Sequence, residues 1–172
     1  RFSQITKMTI QVVHDVVEEI PKARNFKILF TSFRGEIERE FAIDKMLIDD
    51  KMILPAAFSL SVFNTPIAAA TIALKMKGGY SVIYPSQCNF KDALMSAAAS
   101  VLSGDEKEIL FVYADEKIPD DYKETLQNYN CNASLLPLAF ACILSKDKKD
   151  DSLELDTDTL ADTPLEFLKT TL

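Results

Sequence analysis

Residues 79–104, GYSVIYPSQCNFKDALMSAAASVLSG, constrain this chain more tightly than any other stretch. Tyr80, Val82 and Tyr84 alternate with Ser81 and Ile83, and Pro85-Ser86 breaks the run, which predicts a largely buried strand ending at Pro85. Phe90, Leu94, Ala97 and Val101 then recur on one helical face, while Ala93, Ser96, Ala98, Ala99 and Ser100 keep the helix slender enough to pack on two sides. Gly104 is expected to close that helix in the left-handed conformation, and 108–114 to open a second strand. Strand, sharp corner, small-residue helix, glycine and strand make one βαβ unit. At such a corner the helix dipole and its free N–H groups lower a thiol's pKa, so a cysteine there is a plausible nucleophile. Gln87 and Cys88 compete for the place, and a one-residue shift decides between a nucleophile and an inert amide.

The 172 residues are 48% apolar and 26% charged, which suits one globular domain over residues 1–172. A net charge of −7 without a basic stripe argues against nucleic acid as a partner, and global charge would not steer an acidic carrier protein here. The apolar run 135–144 is about half the length of a membrane helix and predicts a buried strand, with no membrane span. No signal peptide opens the chain; it starts at Arg1 without Met, so an upstream segment supplying a first strand is expected. Cys88, Cys131 and Cys142 lack metal-ligand spacing, which predicts reduced thiols in a cytoplasmic protein with no metal and no cofactor.

Ile5, Met8, Val12, Val13, Val16, Val17 and Ile20 form a helical stripe over 3–20. His14, the only histidine, flanks it with no carboxylate or cysteine at metal spacing, and a structural or surface role is expected. A core strand over 26–33 leads through Thr31-Ser-Phe-Arg-Gly35 into a helix over 36–50. Ile37, Phe41, Leu47 and Ile48 are its expected buried face, with Arg39 offset by Glu36 or Glu38 on a solvated side. One glycine makes the junction no phosphate loop. After an irregular stretch, 55–63, Asn64-Thr65-Pro66 starts a helix running to about Met76, with Asn64 or Thr65 as its cap. A polar turn with a short surface helix is expected over 115–131, a strand over 135–145, an edge strand over 152–155 and a last helix from Thr163-Pro164. Alternating strands and helices predict an α/β layered domain.

Five segments carry a resemblance: the opening RFSQITKM, SFRGEIERE, FSLSVFN with Asn64, SQCNF and LFVYADE. In this order they resemble the N-terminal half of a β-ketoacyl synthase, a thiolase-like α/β/α fold, over roughly residues 1–144. The closer likeness is to short ketosynthase-like chain length factors of aryl polyene, polyketide and fatty-acid-type pathways. In ketosynthases the nucleophilic cysteine stands seventeen positions before the glycine that ends the following helix, and counting back from Gly104 lands on Gln87. Cys88 would point about 100° away around the helix. Gln87 is then a degenerate nucleophile position, as in chain length factors that carry Gln where the partner carries Cys. A ketosynthase also takes two polar groups, usually histidines, from its C-terminal half to stabilise enolate or oxyanion, and this chain has only His14.

The resemblance therefore implies a non-catalytic subunit in a heterodimer with an active ketosynthase, with an acyl carrier protein as a further partner. It places Tyr80, Val82, Tyr84 and Asn64 at the dimer interface, against the alternative of intramolecular core. Phe63 and Phe90 flank interface helix and corner and become candidates for the wall of an acyl tunnel, against ordinary core packing. Two other readings stand beside it: acyl transfer through Cys88 or decarboxylation assisted by Gln87, and a homodimeric acyl-carrier-binding scaffold.

Overall fold

The computed structural model describes residues 2–85, 89–122, 136–148 and 152–171. Its elements are α1 (Gln4–Glu19), β1 (Lys27–Thr31), α2 (Ile37–Lys45), α3 (Pro55–Ser59), α4 (Thr65–Ala73), β2 (Tyr80–Ile83), α5 (Phe90–Leu102), β3 (Glu108–Asp115), β4 (Leu138–Ser145) and α6 (Pro164–Thr171). The sheet runs β2-β1-β3-β4, with β1 parallel to both of its neighbours and β4 antiparallel to β3.

The near-continuous apolar sequences of β1 and β3 put those strands at the centre, covered on both faces. Strand alternation sorts their side chains. Ile28, Phe30, Leu110, Val112 and Ala114 meet Ile5, Val13 and Val17 of α1 and Ile67 and Ala70 of α4. Leu29, Phe111 and Tyr113 meet Phe90, Leu94, Ala97 and Val101 of α5 and Phe167 of α6. The expected α/β/α layering follows, each large buried side chain contributing about 2–3 kcal/mol. Ser3 caps α1 by accepting from the Thr6 N–H, and Gly104 closes α5 at φ +85°.

Several expectations change, and the first concerns β4: expected to be a buried strand, it is the outer strand beside β3, with only Phe140 of its residues buried. The strand expected to be largely buried is an edge: β2 bonds only to β1, all four of its residues are half-buried, and Tyr84 beyond it is exposed. The helix expected over 36–50 stops at Lys45 and unwinds through a π-type turn, Met46–Asp50, ending at Lys51 with φ +54°. Of that helix and turn only Ile43 is buried, while Leu47 and Ile48 are 48% and 66% exposed. The reason is topological: helices α1 and α4 fill one face of the sheet and α5 and α6 the other, so α2 has no sheet face to cover. Residues 152–156 form no strand, and 55–59, expected to be irregular, make the short α3. The turn and surface helix expected over 115–131 lie largely outside the described residues, as does Cys131. Among the described residues no helix is long and apolar enough to cross a membrane.

Candidate functional site

Gln87 and Cys88 lie outside the described residues, so the corner is defined by what flanks it: β2 ends at Ile83 and α5 begins at Phe90. On the β2 side, the Phe63 ring lies 4.2 Å from the Tyr84 ring and 6.4 Å from Phe30. It also covers Gly35, where φ is +58° and an added Cβ would fall 2.7 Å from Phe63 Cδ2. Only glycine fits both the backbone and the ring there. Asn64, expected as a helix cap, makes no cap bond; its Nδ2 donates to the Tyr80 hydroxyl at 3.1 Å, tying α4 to β2. Tyr80 and Val82 pack against the α1 and α4 side of the core, which leaves Tyr84 as the exposed aromatic at the edge. Phe90 is fully enclosed, with Phe111, Tyr113, Phe140 and Phe167 around it at 5.7–6.2 Å.

At the same end of the sheet, where β1 and β3 finish, three carboxylates are fully buried: Glu36, Asp115 and Glu116. Asp115 Oδ1 accepts from the Ser32 hydroxyl at 2.6 Å and from the Phe33 and Arg34 N–H groups at 3.0 and 3.1 Å. Its Oδ2 accepts from the Tyr113 hydroxyl and faces Arg34 Nη2 at 3.5 Å. Burial, then the Asp115 charge, pushes the Tyr113 hydroxyl far above its usual range, so it stays a neutral donor. Glu36 Oε1 accepts from Ser3 and Thr6, both at 2.7 Å, and Oε2 from Arg39 Nε at 3.0 Å. The expected Glu36–Arg39 pairing is present, but Glu36 is buried under α1 and not solvated.

Glu116 ties two helices at once. Its Oε2 accepts from the Ile5 N–H of α1 at 3.2 Å and its Oε1 from the Glu38 N–H of α2 at 3.1 Å. Burial raises its pKa to about 7, partly offset by those two N–H groups. All three carboxylates spend their lone pairs on anchoring, so the cluster shapes this end of the sheet and offers no free base. Sequence reading passed over Asp115 and Glu116, although two acids closing an otherwise apolar strand were a visible signal.

Among the described residues no three metal-ligating side chains come together. His14 has Asp15 Oδ1 and Glu18 Oε1 each 3.5 Å from its ring, so carboxylates do stand at contact distance, contrary to expectation; its side chain is 43% exposed. It sits on α1, with the sheet between it and α5. Cys142 on β4 has its thiol pushed up to about 12 by burial and is a packing residue. A hollow of about 850 Å³ lies at the opposite end of the sheet, between Ile20, Leu102, Leu144 and Leu155.

The described residues thus form a four-stranded sheet between two layers of helices, with β2 at its edge and α5 following it in the chain. Residues 1–168 match the family model described as β-ketoacyl synthase, N-terminal domain, and the chain belongs to that family. Among solved structures it is similar to the ketosynthase ApeO in complex with its chain length factor ApeC from Xenorhabdus doucetiae. That likeness has 23% identity and a TM-score of 0.72, over 86% of this chain and 59% of that one, and it fixes the thiolase-like fold. The β-ketoacyl-[acyl carrier protein] synthase III (FabH) of Thermus thermophilus is a more distant match, with 14% identity and a TM-score of 0.48 over 85% of this chain and 38% of that one. No curated protein matches the chain at a significant level.

Proposed function

We propose that this chain is a non-catalytic, chain-length-factor-like subunit that pairs with an active ketosynthase and helps bound the acyl tunnel. The observation that supports this reading is the count along the chain from Gly104, which closes α5 at φ +85°: seventeen positions back, where ketosynthases carry their nucleophile, this chain has Gln87. A glutamine amide cannot form the thioester that acyl transfer needs. His14 cannot supply the missing base from the far side of the sheet.

The open edge of β2 is the pairing surface, with Tyr84 exposed and Asn64, Tyr80 and Val82 fixing the strand from behind. Phe63, partly exposed beside Tyr84, is the tunnel-wall residue; Phe90 supports the corner from inside the core.

Co-expression with the ketosynthases of the same organism tests the reading. A stable heterodimer should form, and it should condense acyl units with Gln87 intact because the reactive thiol belongs to the partner. Acyl transfer onto the isolated chain that Cys88→Ala abolishes would refute it.

A further inference from the structure

Among the exposed apolar side chains one group is close together in the chain. Leu47, Ile48, Met52, Leu54 and Phe58, each 48–66% exposed, fall within one twelve-residue stretch between α2 and the end of α3. Helix α3 packs on α2. Helix α2 is held along its length: Glu38 N–H on Glu116, Phe41 against Tyr122 with ring centroids 5.0 Å apart, and Lys45 on Asp121 at 3.2 Å. The stretch is therefore an arm standing off the layered core. Its root is Phe63, whose ring meets that of Tyr84 at a tilt of 53° at the end of the open strand β2. Leu60 and Val62, 37% and 46% exposed, continue the apolar stretch toward Phe63.

The arm also carries a biased rim. Exposed Glu38, Glu40, Asp44, Asp49 and Asp50 outnumber exposed Lys45 and Lys51 by three charges. Burial, Asp44 and Glu36 push the Glu40 carboxyl up, and its charge reaches Tyr84, so acid crowds the side of the patch nearest β2. A second copy paired about a two-fold axis at the β2 edge would set the same acidic rim on both sides of the contact, which costs association energy.

We infer that the arm is a partner-selecting surface, docking on an apolar face with a basic rim on a second ketosynthase-fold chain and disfavouring self-pairing. This rests on the pairing reading above. The repulsive element is as much a part of the selection as the apolar contact.

The test measures the dissociation constant of the full chain with its ketosynthase partner, and self-association by sedimentation. Ile48→Ser with Phe58→Ser should weaken the heterodimer at least tenfold without changing the melting temperature, since both residues are exposed. Met52→Lys, outside any helix, serves the same purpose if the double variant melts early. Glu40→Gln with Asp44→Asn and Asp49→Asn should weaken the heterodimer, flatten its salt dependence and raise self-association. Wild-type pairing with all of these variants unchanged within twofold overturns the arm and leaves the pairing reading intact. No ketosynthase bound even by the wild-type chain overturns both.

Discussion

Asp115→Asn tests whether the buried carboxylate cluster holds this end of the sheet together. Asparagine keeps one oxygen, enough for the three donors now on Oδ1: the Ser32 hydroxyl and the Phe33 and Arg34 N–H groups. Its amide nitrogen then replaces Oδ2, where it meets the Tyr113 hydroxyl and Arg34 Nη2. A hydrogen bond to a charged group, worth about 1.5–3 kcal/mol, is lost. Arg34 also loses a carboxylate inside the protein; breaking such a pair costs about 3–5 kcal/mol, and the 3.5 Å separation argues for the low end. The two losses overlap, which gives about 3–5 kcal/mol, against a total stability of about 5–15 kcal/mol. Tyr113→Phe removes only one donor and should cost about 1–2 kcal/mol. Urea unfolding followed by far-UV circular dichroism reads both: at a slope near 2 kcal/mol/M, the midpoint of Asp115→Asn should fall by roughly 2 M with the slope unchanged. An Asp115→Asn midpoint equal to wild type, or above that of Tyr113→Phe, would refute the reasoning.

Other outcomes follow from the same geometry. Glu116, with its pKa raised from 4.5 to about 7, binds its proton more tightly folded than unfolded, so its contribution makes stability fall as pH rises from about 4.5 to about 7 and levels off above. The amplitude is on the order of 3 kcal/mol; in Glu116→Gln this component should vanish, and unfolding curves of the two proteins across that range should diverge steadily. Gly35→Ala forces a Cβ into the Phe63 ring at a backbone φ of +58°, and a loss of about 1–2 kcal/mol is expected in thermal melts. Cys142, its thiol pushed up to about 12, should resist alkylation at pH 7.5 until urea unfolds the chain, as mass spectrometry of labelled peptides will show.

What was legible in the sequence was what periodicity encodes. The α1 stripe, the β1 and β3 runs and the Phe90, Leu94, Ala97 and Val101 face of α5 each met the layer their pattern called for, whereas the second packed side expected from its small residues is open at Ala99. Periodicity misled at Leu47 and Ile48, because a helical repeat records amphipathicity and not whether a partner surface is vacant. The half-burial of β2 was hidden likewise, since an alternating strand reads the same at the middle of a sheet as at its edge. Of the candidate site, the Gln87 register came from counting to Gly104, a local relation. The carboxylate cluster did not, because Glu36 and Glu116 find their partners 30–111 residues away, in segments brought together only by the parallel crossings.

The tie made by Glu116 has a consequence for the order of events on the ribosome. Helix α1 is made before its anchor: the carboxylate that accepts from Ile5 is translated 111 residues later. At about 5–20 residues per second, α1 waits roughly 6–22 seconds for it. Central β1 has no neighbour until β2 and β3 are synthesised. Over that interval the apolar faces of α1 and β1 wait for partners of this sheet that are still to be made.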